Sequence, residues 1–524
     1  MRGSNGENGV HPAGEGKAKR ESYPPERRLE TLGGGVEVRW EEDPGVSMHG
    51  GLAFFIEFLN LSGIWKKFVE ECPLKYTSPN APTKSEILGT ILFSVLSGHR
   101  RYAQITGIRR DDVLPRLLGI ETFRSEDSVR RAFEKQDEEA LTLWMDRQIS
   151  ATYGELLDQE WILDLDATVK TLYGRQEEAR VGYNPMKPGR PSHVYHVMAM
   201  TAAKLVMNVD AEAGNRIASA YAQPTLWGWL ESHEKKDWPT LVRGDIAYGN
   251  DGMMTGCEQR GLAYLFKLRQ SQRVAQLLGR LARRGGKAGW HNAGQGWEGI
   301  EQELELQGWG AARRVIVLRR KADTDLQGQA DAAQPSLPGM TIQHRDGERY
   351  EHAVLVTNWR EQDILAVAQT YRDRAGAENL FDELKNQWGW TGFTTQDLKR
   401  SQLMARLVAL IYNWWTIFTR MATGETHGEA ITTRPLLQQA IVRRTRHANQ
   451  TRLNISSLHG KAKEAANVLD RISNWLQRFV RPAEQLGPKP EWGAMLRQIF
   501  EEFGKFPFTP RPEEAVLVAD NCRI

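Results

Sequence analysis

The chain has 524 residues, of which 26% are charged and 40% hydrophobic, proportions that exclude wholesale disorder, a fibrous repeat or a disulfide scaffold. Three scattered cysteines (Cys72, Cys257, Cys522) have no metal-ligand spacing, the N-terminus carries no apolar leader, and the most apolar run, Leu403 to Phe418, is interrupted by Arg406 and Asn413; the expectation is a cytoplasmic protein with no membrane partner. Lys and Arg total 69 against 66 Asp and Glu, but the charge is clustered: seven basic and no acidic residues lie between Leu265 and Trp297, and nine basic residues face only Glu464 and Asp470 between Ile441 and Pro482, as on a surface that attracts a polyanion or on a solvated helix face.

In chain order, residues 1–45 are rich in Gly, Glu, Lys and Pro without periodicity and read as a disordered leader. Residues 46–155 have helical spacing. Ser85–Leu96, for example, follows Thr83 as a candidate N-cap and places Ile87, Leu88, Ile91, Leu92 and Val95 on one face. Exposed arginines such as Arg100, Arg101, Arg130 and Arg131 suit either a helical DNA-binding domain or a packing domain.

The texture changes at Glu160. Trp161–Asp166, Tyr195–Ala203 and Lys204–Val209 read as strands, Gln223–Lys235 as a helix, Thr240–Gly244 as a strand, Asn250–Gln259 as a helix and Leu262–Leu268 as a strand. That order predicts an α/β domain with a mixed sheet over 156–272. Ile300–Leu306, Arg313–Arg319, Met340–His344 and His352–Thr357 then read as strands of a β-rich insertion spanning 273–369. From Thr370 to Phe503 the pattern is helical again, with a basic helical C-terminal region from 421 to 524.

Carboxylates stand at informative places. With a strand period of two, Asp164 and Asp166 share a face, and an ionised carboxylate in a sheet is costly unless paired or metal-bound. Asp245 follows the strand Thr240–Gly244, at the edge where open α/β sheets bind ligands. A helix from Tyr371 to about Trp388 would gather Tyr371, Arg374, Glu378 and Lys385 within about 60° of arc, with Asp382 close by. Beside that stripe Ala377, Leu380, Phe381 and Leu384 form an apolar face. On spacing alone, the polar stripe is equally a row of exposed ion pairs.

Tyr371, Arg374, Glu378 and Lys385, separated by two, three and six residues, resemble without a gap the signature helix of the insertion-sequence DDE transposases. Asp164-Leu165-Asp166-Ala167-Thr168 resembles their first-aspartate strand, and Arg243-Gly244-Asp245 with Cys257, Glu258 and Tyr264 their second-aspartate region. Gly182-Tyr183-Asn184-Pro185 and Gly189-Arg190-Pro191-Ser192 look like a loop of one bacterial subgroup, and the resemblance runs from about Gly50 to the 470s. Ile246-Ala247-Tyr248 departs from the small or hydroxyl residue and aromatic expected after Asp245.

The resemblance implies an RNase H-like core at 156–272 and 370–420, interrupted by the β-rich insertion and flanked by helical N- and C-terminal regions. The gap from Asp166 to Asp245 (245 − 166 = 79) and from Asp245 to Glu378 (378 − 245 = 133) accommodates that plan. It also implies a transposase, with Asp166, Asp245 and Glu378 as catalytic carboxylates holding two Mg²⁺ ions, with Mn²⁺ as substitute, since oxygen-only donors suit hard cations. The substrates implied are double-stranded DNA, as terminal inverted repeats and target, acted on by a homodimer, with a hairpin step before release. Arg374 and Lys385 would clamp phosphates, Tyr371 would meet a displaced nucleotide, and Arg443, Arg444 and Arg446 would contact DNA. The rival readings are a metal-dependent nuclease without strand transfer and an inactive DNA-binding derivative. His193 and His196 fall on opposite strand faces and predict no zinc site.

Overall fold

The computed structural model describes the chain apart from residues 1–22, 42–44, 77, 79, 217, 285–288, 323–339, 346, 425, 449, 481–491 and 505–524. A hairpin, β1 (Arg27–Thr31) and β2 (Gly34–Val38), and a short strand β3 (Val46–Ser47) precede helices α1 (Leu52–Leu61), α2 (Ile64–Glu71), α3 (Lys84–Leu96), α4 (Leu114–Leu117), α5 (Glu126–Ala132) and α6 (Glu138–Ser150). Then come β4 (Ile162–Thr171), β5 (Arg180–Val181), β6 (Pro191–Met200), β7 (Leu205–Ala213), α7 (Ala218–Glu231), β8 (Leu241–Gly244), α8 (Asp251–Arg260), β9 (Ala263–Lys267) and α9 (Gln272–Arg284). Next follow β10 (His291–Gly294), β11 (Trp297–Leu304), β12 (Arg313–Lys321), β13 (Met340–Gln343) and β14 (Arg349–Thr357). The chain continues with α10 (Ile364–Arg372), α11 (Ala375–Gln387), α12 (Leu398–Thr423), α13 (Ala430–Leu437), β15 (Val442–His447), β16 (Gln450–Ile455), α14 (Ala462–Leu476) and α15 (Trp492–Phe503).

At the heart of one large mixed sheet, β7, β6, β4, β8 and β9 lie side by side. β6 is antiparallel to both β4 and β7, whereas β4, β8 and β9 run parallel. Three antiparallel strands followed by two parallel ones form the RNase H-like core of this mixed α/β fold. Beyond β9 the sheet continues through β14, β12, β11 and β10. The strands between 273 and 369 therefore extend the core sheet: β14 pairs with β9 through Thr357↔Leu265, Val356↔Phe266 and Leu355↔Lys267.

Helix α12 shows how the core is closed. Its side chains are buried almost without interruption from Leu403 to Met421, as its nearly all-round apolar sequence requires. It covers β7, whose outward backbone groups would otherwise be left unbonded. Asn413 accepts from the Val206 N–H and donates to the Val206 carbonyl, Gln402 accepts from the Ala211 N–H, and Arg406 donates to the Val209 carbonyl, all at 2.8–2.9 Å. The main hydrophobic core includes residues of α1 and of α15, so the N- and C-terminal helices share it with the sheet. At the start of α3, Thr83 and Glu86 cap each other's backbone N–H groups, as the N-cap reading of Thr83 anticipated. No helix among the described residues is long and apolar enough to cross a membrane.

Two expectations are corrected. Within the segment read as a disordered leader, Arg27–Thr31 and Gly34–Val38 pair as an antiparallel hairpin; residues 1–22 lie outside the described residues. The basic C-terminal region is not wholly helical: Arg443, Arg444 and Arg446 sit on β15, paired with β16. The run of Val442, Arg444 and Arg446 alternating with Arg443, Thr445 and His447 suits a strand period of two, and the missing apolar stripe gives a helix nothing to bury.

Candidate active site

The parallel ladder sets the site. Leu165 pairs with Gly244, and Gly244 with Phe266. The next residue along each chain is therefore Asp166, Asp245 and Lys267, abreast where the parallel ladder ends: midway along β4, which continues against β6 to Thr171, just past β8, and at the end of β9. Gly244 is required there, because a Cβ would lie 2.9 Å from the ring of buried Tyr248. The turn beyond β8 is closed by Asp245 itself, whose carboxylate accepts the Ala247 N–H at 2.9 Å.

Helix α11 crosses the end of this ladder on its apolar face: Ala377, Leu380, Phe381 and Leu384 are all buried, as their spacing predicted. Two lysines fix it lengthwise. Lys204, in a left-handed turn between β6 and β7, donates to the Gly376 carbonyl at 2.9 Å. Lys170, on β4, donates to the Gly392 carbonyl at 2.8 Å just beyond the helix. Buried Glu383 accepts from Trp388 Nε1, His427 Nε2 and the Ala430 N–H and ties α11 to α13.

The expected continuous helix from Tyr371 is interrupted: Tyr371 belongs to the last turn of α10, and α11 begins after Arg374. The cause is Arg243. Its guanidinium donates to the Thr370 carbonyl, which a regular helix would offer to the Arg374 N–H. The Arg374 N–H bonds instead to the Tyr371 carbonyl at 3.2 Å. Asp373 and Arg374 keep right-handed helical dihedrals, so the polar stripe survives the interruption.

Arg374 is the hub of the stripe. With its side chain 6% exposed, it donates to Asp166 at 2.8 Å and to Glu378 at 3.1 Å. Burial raises the Asp166 carboxyl to about 6; Arg374 opposes that rise, while Asp245 and Glu378 add to it. Burial also raises the Tyr371 hydroxyl, which feels Arg374, Asp245, Glu378 and Asp166. Lys385 is lowered by burial and feels Asp166 and Asp382. Lys267 is lowered by burial too, with Glu351, Arg374, Glu378 and Asp245 acting on it. Asp166, Asp245, Glu378, Tyr371, Arg374 and Lys385 thus belong to one electrostatic neighbourhood. Arg443, Arg444 and Arg446 lie on the separate β15–β16 hairpin.

Asp164 has a different role from Asp166. It is 1% exposed, and its two oxygens accept from Arg243 Nε at 2.6 Å and from the guanidinium Nη2 at 2.8 Å. The strand-face reading did not include Arg243, which sits directly across the ladder from Asp164. Lys267 was also missed as a site residue; counting the same register into a third parallel strand would have found it.

Among the described residues, no three His, Cys, Asp or Glu side chains converge tightly enough to hold a metal ion. The donor set nevertheless fits a hard divalent cation. Asp166, Asp245 and Glu378 offer only carboxylate oxygens, repel one another, and have Arg374 as the cation between two of them.

Two carboxylates where the parallel ladder of the RNase H-like sheet ends are thus opposed by a third on a crossing helix. The family model described as "Transposase DDE domain group 1" matches residues 37–477, and the chain belongs to that family. The comparison with curated proteins finds no match. Among solved structures the chain is similar to a piggyBac transposase synaptic complex with hairpin DNA, with a TM-score of 0.38, 11% identity and coverage of 89% of this chain and 86% of that one; so slight a likeness adds nothing to the family assignment.

Proposed function

We propose that the chain cleaves the ends of a DNA element and joins the freed 3′-OH ends to target DNA, with Asp166, Asp245 and Glu378 as the catalytic carboxylates. The observation that carries this reading is the register placing Asp166 and Asp245 side by side, with Arg374 joining Asp166 to Glu378. Two Mg²⁺ ions, or Mn²⁺ in their place, held by these three carboxylates would stabilise charge on the attacking and leaving oxygens at phosphorus.

The chain's own groups do the rest. Arg374 holds the carboxylates together and offers its guanidinium edge to a phosphate. Lys385 and Lys267 flank the site as compact cations that draw the DNA backbone in and offset charge developing on it. Tyr371 presents a half-buried ring beside the carboxylates, a surface on which an unstacked nucleotide can rest. The α1–α6 region and the basic C-terminal segment with Arg443 and Arg446 take the flanking duplex, while Arg444, proposed from the sequence as a DNA contact, is instead ion-paired with Asp112 and braces the segment; two copies of the chain act on the two ends.

The test uses the DNA that flanks the gene. Purified full-length chain with Mg²⁺ should nick a plasmid at inverted repeats bounding the gene. Asp166→Asn, Asp245→Asn and Glu378→Gln should each abolish nicking while retaining binding. Nicking that persists in any of the three variants would overturn the assignment of that carboxylate.

A further inference from the structure

We infer that the hairpin β15–β16 is a β-ribbon that enters the major groove of duplex DNA and reads base edges with one face; this rests on the DNA-transposase reading and adds sequence recognition to it. The two strands pair in strict register from Val442↔Ile455 to His447↔Gln450. Cross-strand partners share a face. One face therefore carries Arg443, Asn454, Thr445, Arg452, His447 and Gln450, all exposed.

The opposite face fastens the ribbon to the body. Val442 is buried, and Arg444 donates to Asp112 at 2.8 Å. β3 pairs with β15 only at Val442 and Arg443. Among the described residues, the ribbon is two-stranded from Arg444 to its tip, with no third strand on either side. Arg444 is thus a brace, whereas Arg443 and Arg452 point away from the body with no side-chain partner among the described residues.

The dimensions and chemistry suit one occupant. A two-stranded ribbon fits the major groove of B-form DNA, about 12 Å wide. The deep, narrow major groove of A-form RNA does not admit one. No Asp or Glu occurs from Val442 to Ile455, so the ribbon meets the polyanion without repulsion. Its exposed face holds the side chains that discriminate bases: Arg for guanine O6 and N7, Gln and Asn for adenine N6 and N7, Thr for the thymine methyl. The Asn454 amide donates to Thr445 Oγ1 at 3.2 Å and leaves its own carbonyl oxygen outward, and contact with phosphates alone would not need the uncharged, exposed Gln450.

The experiment selects binding sites from a duplex library with a randomised stretch, using the full-length chain without divalent cation. Wild type should enrich a motif. Arg443→Ala with Arg452→Ala should lose preference at neighbouring base pairs by roughly tenfold to a hundredfold each, leaving the rest of the motif. Gln450→Ala should relax a different position without changing the salt dependence of binding, because it releases no counterion. These side chains are exposed, so unchanged melting temperatures should accompany both variants.

Enrichment of the wild-type motif by the arginine variant with uniformly weaker binding would mean phosphate contact only, and would overturn the ribbon. So would a wild type that enriches nothing. Mg²⁺-dependent nicking by the same preparation separates the two claims. Nicking with no ribbon-dependent motif sinks the ribbon alone, and a ribbon-dependent motif without nicking sinks the transposase reading alone.

Discussion

Replacing Asp164 by Asn tests how the site is held together. The substitution conserves shape but removes the only carboxylate hydrogen-bonded to Arg243 among the described residues. Arg243 is 4% exposed and also donates to the Thr370 carbonyl. The variant leaves a buried guanidinium with no counter-charge and turns the new amide N–H₂ toward a group that itself only donates. Breaking a buried pair by removing one partner costs about 3–5 kcal/mol, against a total stability on the order of 5–15 kcal/mol.

A urea midpoint measurement should show Asp164→Asn strongly destabilised. Replacing the pair together, Asp164→Leu with Arg243→Met, should recover most of that loss, because an apolar pair of similar volume is often neutral in such a place. Cleavage should not recover in the double variant. The methionine side chain that replaces Arg243 has no N–H to hold the Thr370 carbonyl, so the α10–α11 junction loses its brace. An Asp164→Asn variant within about 1 kcal/mol of wild type, or strictly additive effects in the double variant, would refute this reasoning.

Lys267→Met should slow Mg²⁺-dependent cleavage by about tenfold to a hundredfold with little effect on binding, as loss of one charged group beside developing charge does; single-turnover rates unchanged from wild type would remove Lys267 from the site. Burial lowers the Lys170 amine from 10.5 to about 8. Above pH 8 the folded chain therefore sheds a proton that the unfolded chain keeps, and this group's contribution to stability rises with pH up to about 10.5. The stability of wild type relative to Lys170→Met should accordingly increase by about 2 kcal/mol between pH 7.5 and 9.5, and a flat or falling difference in denaturant unfolding would contradict the burial argument. Native mass spectrometry of the chain on paired end DNA should give two protomers, and one protomer per synapsed pair would exclude the dimer.

Much of this is legible in the sequence because it follows from local periodicity. The strand period puts Asp164 and Asp166 on one face, and the helical spacing of Ala377, Leu380, Phe381 and Leu384 gives the buried face of α11. What stays hidden depends on contacts between distant segments. Asp164 looks like a twin of Asp166 because strand periodicity cannot tell a carboxylate paired across the ladder from one at its end; Arg243 lies 79 residues away. The break before α11 is invisible for the same reason, since a side chain from β8 takes the Thr370 carbonyl. The C-terminal ribbon is masked because its basic content draws the eye before its alternation does. Lys267 reads as one member of a charge run, although the parallel register sets it beside Asp245.

Strand transfer from precut ends tests the proposed chemistry most directly. Duplexes ending in the inverted repeat with a free 3′-OH, mixed with plasmid target and Mg²⁺, should yield joined products with wild type and none with Glu378→Gln or after chelation of the metal. Joined products from Glu378→Gln, or wild-type nicking without any joining, would contradict it.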